Sequence, residues 1–502
     1  VTAAWAAHLP AGTNPDDVDL LRAGNLPRAW GRHWAAAPDR PAVADDDGWI
    51  TGGELEERSR QVAGRFAAKG LVAGDRILVS AAASVPLVVA HVAALRLGLV
   101  VVPANTAYRQ RELAHLVGDA TPSAALVDDR ERAGWLSTAG EAAGIALLMI
   151  GPDVDLPDGP EPLLDAADLA DPALIAYTSG TTGAPKGAVL SHANLLASAE
   201  ALALAWRWTP DDRLVLALPL FHLHGLGVGL HGTLGVGASA VLRRSFAVDD
   251  VLDHLVADRA SLFFGVPTMW SRLAASARAD ELAVLRLGVS GSAPLPAELH
   301  RAIEAASGQR VIERYGMTET VMNVSNPYDG ERRPGTVGLP LPGVEVRLDQ
   351  GTDEILLRGP NVFAGYRDRP DATVEAFAPD GWFRSGDVGA FDPDSYLRIV
   401  GRRKELIISG GFNVYPREVE DVLRTHPAVA DAAVIGVAHP DWGEEVVAVI
   451  EAADQADTAS VLAHAAAQLA PYKRPKRVVV VDALPRNALG KVVKADLGPL
   501  VR

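Results

Sequence analysis

Apolar residues along this chain come in short dense blocks, separated by Ala-rich stretches with helical spacing. Thr51, followed by Glu54 and Glu57, opens an amphipathic helix running to about Lys69, because a hydroxyl with a carboxylate three residues on caps a first turn. Arg76 to Ser80 (RILVS) predicts a buried strand, and about Pro86 to Leu97 the helix that follows it. Ala173 to Tyr177 reads as another buried strand, Ala188 to Leu190 as extended chain and Ser191 to Leu204 as an Ala/Leu-rich helix. Further strands are predicted at Val100 to Pro103, Ala124 to Val127, Ala146 to Ile150, Arg213 to Ala217, Ser239 to Leu242, Ser261 to Gly265 and Leu285 to Ser290. Strands alternating with helices predict an α/β domain, and no fixed-period repeat is visible.

From Gly335 onward the texture changes to short alternating strands with turns, at Val344 to Leu348, Glu354 to Arg358, Trp382 to Asp387 and Tyr396 to Val400. That pattern predicts a small β-rich subdomain. Arg402, Arg403 and Lys404 interrupt it, and a compact α+β module of about 100 residues follows, an ordinary size for a small domain. In that module Leu406 to Ile408, Val434 to Val437, Val446 to Ile450 and Val478 to Val481 are strands, and Pro416 to Leu423 and Ser460 to Leu469 are helices. The division expected is therefore residues 1–401, a junction at 402–404 and residues 405–502. The charged junction reads either as a hinge or as a surface turn.

Composition narrows the classes. A chain of 502 residues with 48% hydrophobic and 22% charged residues is globular and too long for one core. Its net charge of −16 argues against a nucleic-acid partner, so an anionic ligand must be held by local groups. The absence of cysteine excludes disulfides, thiolate metal sites and a cysteine nucleophile. Apolar runs such as Leu87 to Leu95 are broken by His91, Arg96 and Gly98, well short of the roughly 20 residues of a membrane span. The acidic, proline-containing N-terminal stretch lacks a signal-peptide pattern, and a cytoplasmic location is expected.

One segment stands apart from this core-forming pattern. Thr178 to Gly187, TSGTTGAPKG, is built to hold phosphate. Its glycines (Gly180, Gly183 and Gly187) let backbone N–H groups approach an anion, while Thr178, Ser179, Thr181 and Thr182 add hydroxyls and Lys186 a charge. It is not a Walker A loop, since Lys186 follows Pro185 and precedes Gly187 where a serine or threonine is needed.

Further polar or glycine-rich segments follow: Gly291 to Pro294 (GSAP), Tyr315 to Glu319 (YGMTE), Ser385 to Asp387 (SGD), Gly401-Arg402 and Pro485 to Lys491 (PRNALGK). Each alone has a plain reading, Glu319 as a solvated helix residue, Asp387 as a turn cap, Lys491 as a surface lysine. Together with the loop, in this order, they resemble the adenylate-forming superfamily of acyl-CoA synthetases, peptide-synthetase adenylation domains and luciferases over nearly the whole chain. The resemblance implies a large N-terminal α/β domain with a small mobile α+β C-terminal domain. It also implies two chemical steps, a carboxylate attacking the α-phosphate of ATP to give an acyl-adenylate and pyrophosphate, then a thiol displacing AMP.

The resemblance also assigns roles. Thr178, Ser179, Gly180, Thr181, Thr182, Gly183 and Lys186 hold the β- and γ-phosphates, Thr318 the α-phosphate, and Glu319 with Thr181 the Mg²⁺. Gly291, Ser292, Ala293, Arg314, Tyr315 and Gly316 surround the nucleotide, and Asp387 with Arg402 binds its ribose. Lys491 reaches the reacting centre, Lys404 is the pivot, and Gly410 and Gly411 line the CoA tunnel. A lysine acetyltransferase acting on Lys491 is an expected partner, and the chain is expected as monomer or homodimer.

The segments Glu313 to Val337 and Leu218 to Gly225 are more narrowly similar to malonyl-CoA and methylmalonyl-CoA synthetases. A dicarboxylate needs a buried counter-charge for its distal carboxylate. Arg286, His222 and His224 are the residues expected to meet the acid, with Met317 beside them and His222 doubling as a gate. Fatty or aryl acyl-CoA ligase, an amino-acid adenylation domain and a non-catalytic nucleotide-binding scaffold are the alternatives. The adenylation domain is disfavoured by the 11 residues after Lys491, too few for a carrier domain, and the scaffold by intact residues at 319, 387 and 491.

Overall fold

The structure, a computed structural model, describes residues 4–178, 185–409, 411–440, 442–453, 457–487 and 490–501. The chain forms two compact units. The first comprises Val1–Pro334, Gly338–Glu345 and Arg358–Phe383, and the second Gly335–Val337, Val346–Leu357 and Arg384–Arg502.

Two sheets organise the first unit. One, nine-stranded among the described residues, runs in the order Leu339–Pro340, Val324–Ser325, Ile312–Tyr315, Leu287–Ser290, Leu262–Gly265, Arg213–Leu216, Ser239–Leu242, Pro41–Asp45, Gly48–Thr51. Its six strands from Ile312–Tyr315 to Pro41–Asp45 are parallel, and their residues are nearly all buried, as a sheet covered on both faces requires. The second sheet, seven-stranded, runs Gly365–Tyr366, Lys186–Ser191, Pro172–Thr178, Val100–Pro103, Arg76–Ser80, Ala124–Val127, Leu148–Ile150.

Helices follow the expected signals. Gly52–Ala68 starts on a capping box in which the Thr51 hydroxyl accepts from Glu54 N–H and the Glu54 carboxylate accepts from Thr51 N–H. Val85–Leu97 is capped by Ser84 and closed by the left-handed Gly98, and twelve of its thirteen residues are buried. It is a central core helix, and among the described residues no helix is long and apolar enough to cross a membrane.

The second unit carries a four-stranded sheet, in the order Glu345–Leu348, Glu354–Arg358, Phe383–Phe391, Leu397–Arg402, whose last two strands pair antiparallel. Beyond Arg402 a five-stranded sheet packs the helices Pro416–Arg424 and Thr458–Gln468. Its central hairpin, Val429–His439 with Gly443–Ala452, is much longer than the two short strands expected from the sequence. The hydrogen-bond ladder continues past the apolar run into exposed residues, where hydrophobic pattern carries no signal.

Candidate active site

The described part of the phosphate loop is anchored at both ends. Pro172–Thr178 and Lys186–Ser191 pair antiparallel, with Thr178 opposite Lys186, so the strands that flank the loop end side by side. Ser179, Gly180, Thr181, Thr182 and Gly183 lie outside the described residues. On the incoming strand the Tyr177 hydroxyl donates to Asp119 Oδ2 at 2.7 Å, and Arg369 holds Asp119 Oδ1 at 2.8 Å. On the outgoing strand His115 Nε2 meets the Pro185 carbonyl at 2.9 Å, and Arg367 N–H donates to the Gly187 carbonyl at 2.8 Å. Lys186 Nζ sits 5.2 Å over the ring of Tyr366, a cation–π contact.

That ring joins two parts of the site. The Tyr366 hydroxyl donates to Glu319 Oε1 at 2.8 Å, and burial followed by the Glu319 charge keeps this hydroxyl protonated. Phe363 N–H donates to the Glu319 carbonyl at 2.9 Å, and Asn361 Nδ2 holds the carbonyls of Thr320 and Met322. Tyr366 and Asn361 were not foreseen from the sequence. Their signal was available in the run Gly359 to Tyr366, GPNVFAGY, an amide and aromatics set between glycines, but short β-bridges carry no periodicity.

The remaining first-unit residues gather at the carboxyl ends of the parallel strands, the general location of ligand sites in such sheets. Leu287–Ser290 ends at Gly291, Ser292 and Ala293, and Ile312–Tyr315 leads into Gly316, Met317, Thr318 and Glu319. Ser292 holds a left-handed backbone, φ 66°, which is strain for a residue other than glycine. Gly316 is required because the Val321 carbonyl lies where a Cβ would stand. Tyr315 is buried, with its hydroxyl 3.9 Å from the Met317 sulfur.

Arg213–Leu216 leads to a seven-residue π-helix, His224–Leu230, in which Val228 N–H bonds back to the Leu223 carbonyl. This turn presents His224 Nδ1 at 3.2 Å from Ser292 Oγ, while Nε2 is buried without a partner. Burial first, then the Arg314 and His222 charges, hold His224 well below the ordinary histidine range, so it is neutral. His222 is half-buried two residues earlier, and its Nδ1 accepts from the His224 N–H at 3.3 Å.

Arg286 is not brought to this cluster. It stands at the entrance of the strand whose exit is Gly291, at the opposite edge of the sheet. Both arms of its guanidinium are taken by Asp212, at 2.8 and 2.6 Å, and Nη1 donates to the Trp206 carbonyl. The expected acyl-binding role of Arg286 is therefore corrected, because a strand residue with its charge already neutralised five positions away cannot serve both ends.

In the second unit Asp387 and Arg402 are register partners on adjacent strands, with Nε 3.3 Å from Oδ1. Lys491 lies beside them, and its N–H donates to Asn487 Oδ1. Burial and the neighbouring Arg402 push its amine down to about 8, against the opposing pull of Glu405 and Asp387. Lys404 is exposed in the 3₁₀ turn Arg403–Glu405. Gly411, with φ 81°, makes the turn between Ile407–Ser409 and Phe412–Val414, and Gly410 lies outside the described residues.

Known proteins share this arrangement. Residues 30–367 match the AMP-binding enzymes, and residues 418–491 match the AMP-binding enzyme C-terminal domain. The chain belongs to the AMP-binding enzymes. It is 35% identical to the malonate–CoA ligase of Arabidopsis thaliana over 476 residues, 85% of this chain and 78% of that protein. It is 36% identical to the sulfoacetate–CoA ligase of Cupriavidus necator over 515 residues, 97% of this chain and 99% of that protein. Among solved structures, ATP-bound MatB from Rhodopseudomonas palustris aligns with TM-score 0.89 and 41% identity, over 94% of this chain and 98% of that one.

This AMP-binding enzyme is thus an AMP-forming acid–CoA ligase that uses ATP, Mg²⁺ and CoA. Its residues fit the metal. Mg²⁺ is usually held by one or two carboxylates plus substrate phosphates instead of an all-protein cage. Among the described residues no cluster of three or more His, Cys, Asp or Glu is gathered for a metal. Glu319, buried and oriented by Tyr366 beside the phosphate loop's lysine, would hold the ion, which supplies charge neutralisation for the triphosphate.

Proposed function

We propose that this ligase activates malonate or methylmalonate. The observation that carries the reading is the polar wall on the acid's side of the site, His224 on Ser292 with a buried ring nitrogen still unpartnered. A fatty chain would leave that nitrogen unsatisfied, which costs about 1–3 kcal/mol, whereas a short polar acid can meet it. The 35% identity to a malonate–CoA ligase supports the same choice.

The residue roles follow as parts of this reading. The acid's carboxylate oxygen attacks the α-phosphorus and pyrophosphate leaves, with Lys186 and the phosphate loop on the β- and γ-phosphates and Thr318 on the α-phosphate. Asp387 and Arg402 bind the ribose hydroxyls, and Lys491 offers its ammonium to the oxygens of the reacting centre. CoA's thiol then attacks the acyl carbonyl and AMP leaves, after rotation about Lys404 brings Gly411 to the pantetheine. The neutral fraction of a lysine amine lowered to about 8 also makes Lys491 a ready acceptor for acetylation, which would remove its charge. The cysteine-free composition supports placing the enzyme in a reducing, cytoplasmic compartment.

A panel of malonate, methylmalonate, acetate, octanoate and benzoate with ATP and CoA, read by AMP release, tests the acid. Malonate or methylmalonate should give the highest kcat/KM. Octanoate or benzoate outperforming malonate would remove the dicarboxylate reading.

A further inference from the structure

Val321 holds a conformation that its own side chain opposes. It is β-branched and buried, with 3% of its surface exposed, yet its φ is 53°, in the left-handed region where a branched Cβ crowds the backbone. The turn it makes closes the segment that carries Thr318 and Glu319. The Val321 carbonyl folds back to lie where a Cβ on Gly316 would stand, and Asn323 N–H donates to the Tyr315 carbonyl at 3.0 Å. Met317, Thr318 and Glu319 lie between these ties, so their placing depends on the strained turn. Such strain persists only where the surroundings over-determine it.

A side chain from a distant segment does so. Asn361, 1% exposed, donates from Nδ2 to the carbonyls on both sides of Val321, that of Thr320 at 2.7 Å and that of Met322 at 2.8 Å, with Asn323 Oδ1 at 2.9 Å. Holding both carbonyls locks the backbone through residue 321. The Asn361 Oδ1 is buried with no hydrogen-bond partner among the described residues, so the amide serves the turn at the expense of its own acceptor. Asn361 is seated in the same manner, since Asn194 Nδ2 donates to the carbonyls on either side of it, Pro360 at 2.9 Å and Val362 at 2.8 Å. Asn194 Oδ1 in turn accepts from the Ser191 N–H at 2.9 Å, at the end of the strand Lys186–Ser191 that leaves the phosphate loop. Two amides in series run from the phosphate-loop strand to the turn after Glu319.

We infer that Asn361 is a positioning residue for adenylation: it clamps the strained Val321 turn and thereby keeps Thr318 and Glu319 set against the phosphate loop. Once released, a branched residue leaves the left-handed region by a factor on the order of 10 to 10² in population, whereas glycine has no such preference. The inference rests on the roles proposed for Thr318 and Glu319 and not on the choice of acid.

Pyrophosphate–ATP exchange, with malonate or whichever acid of the panel exchanges fastest, reads it. Asn361→Ala should lower kcat by on the order of 10²-fold, with the KM for the acid changed less than about threefold. Adding Val321→Gly to Asn361→Ala should recover kcat by about tenfold or more, because a glycine turn does not need the clamp. A merely structural asparagine would instead give losses that add, since Val321→Gly also removes a packed side chain. Should the alanine variant not fold, Asn361→Ser keeps one donor and should show about a tenfold loss of kcat that Val321→Gly removes. Glu319→Gln is the reference. If it loses exchange while a folded Asn361 variant keeps its kcat, or while the double variant is no better than the single one, the inference falls alone. If Glu319→Gln exchanges as fast as wild type, the inference falls together with the roles it rests on.

Discussion

Lys491 shows how burial tunes a single residue. With its amine lowered to about 8, the ammonium is present below that pH and is lost as pH rises through it. Adenylation, which uses the charge, should decline above about pH 8 with a slope of one proton, while thioester formation from preformed acyl-adenylate should not share that limb. Pyrophosphate–ATP exchange across pH 6 to 10, with Lys491→Arg as the comparison, checks this; a limb at the same pH in the arginine variant would assign it to another group. Lys491 was legible as a residue to watch because of its PRNALGK setting. Its depressed amine was not, because that value comes first from burial, which only folding creates, and then from Arg402, 89 positions earlier in the chain. Tyr366 escaped for a similar reason, since its hydroxyl matters only once folding sets it on Glu319.

At the scale of strands and turns, the apolar blocks located most elements to within a residue or two. Arg76–Ser80, Val100–Pro103, Ala124–Val127, Ser239–Leu242 and Glu354–Arg358 fall where the pattern puts them. What a block does not state is which end of its strand faces the ligand. Arg286 and Arg314 both flank or occupy parallel strands, yet one is at the entrance edge and the other near the exit. At the entrance edge, Asp212 also accepts from Ser261 Oγ and from Thr209 N–H, tying three strand starts together. Arg286→Met should therefore lower stability by about 2 kcal/mol, less than a fully buried pair because the arginine side chain keeps 26% exposure. Thermal melting checks the loss. The malonate KM should move by less than about threefold, and a much larger rise would return Arg286 to the acid.

Across the whole molecule, the contact-defined units part at Phe383 and Arg384, whereas the sequence boundary proposed for motion falls at 402–404. These describe different things, packing in one arrangement and a pivot between two. Lys404 sits in a short 3₁₀ turn between the strands Leu397–Arg402 and Ile407–Ser409. Lys404→Pro fixes φ near −65° and removes an N–H, so it should hold one arrangement. The acyl-adenylate should still form in a single turnover, and acyl-CoA release should slow by about tenfold or more. Equal slowing of both halves would deny Lys404 a pivot role.

The sequence by itself determined the α/β class, the run of strands and helices and the phosphate-binding loop, which depend on local patterning and on residue types at close spacing. Its resemblance to a known family implied the reaction type. Only the tertiary structure decided which arginine is spoken for and which is left unpaired. Asp212 and Arg286 are 74 positions apart and meet across neighbouring strand ends, while Arg314 lies against Gly291 with no acid on it among the described residues. Charge compensation is a property of distance in space, and distance in space is what folding creates.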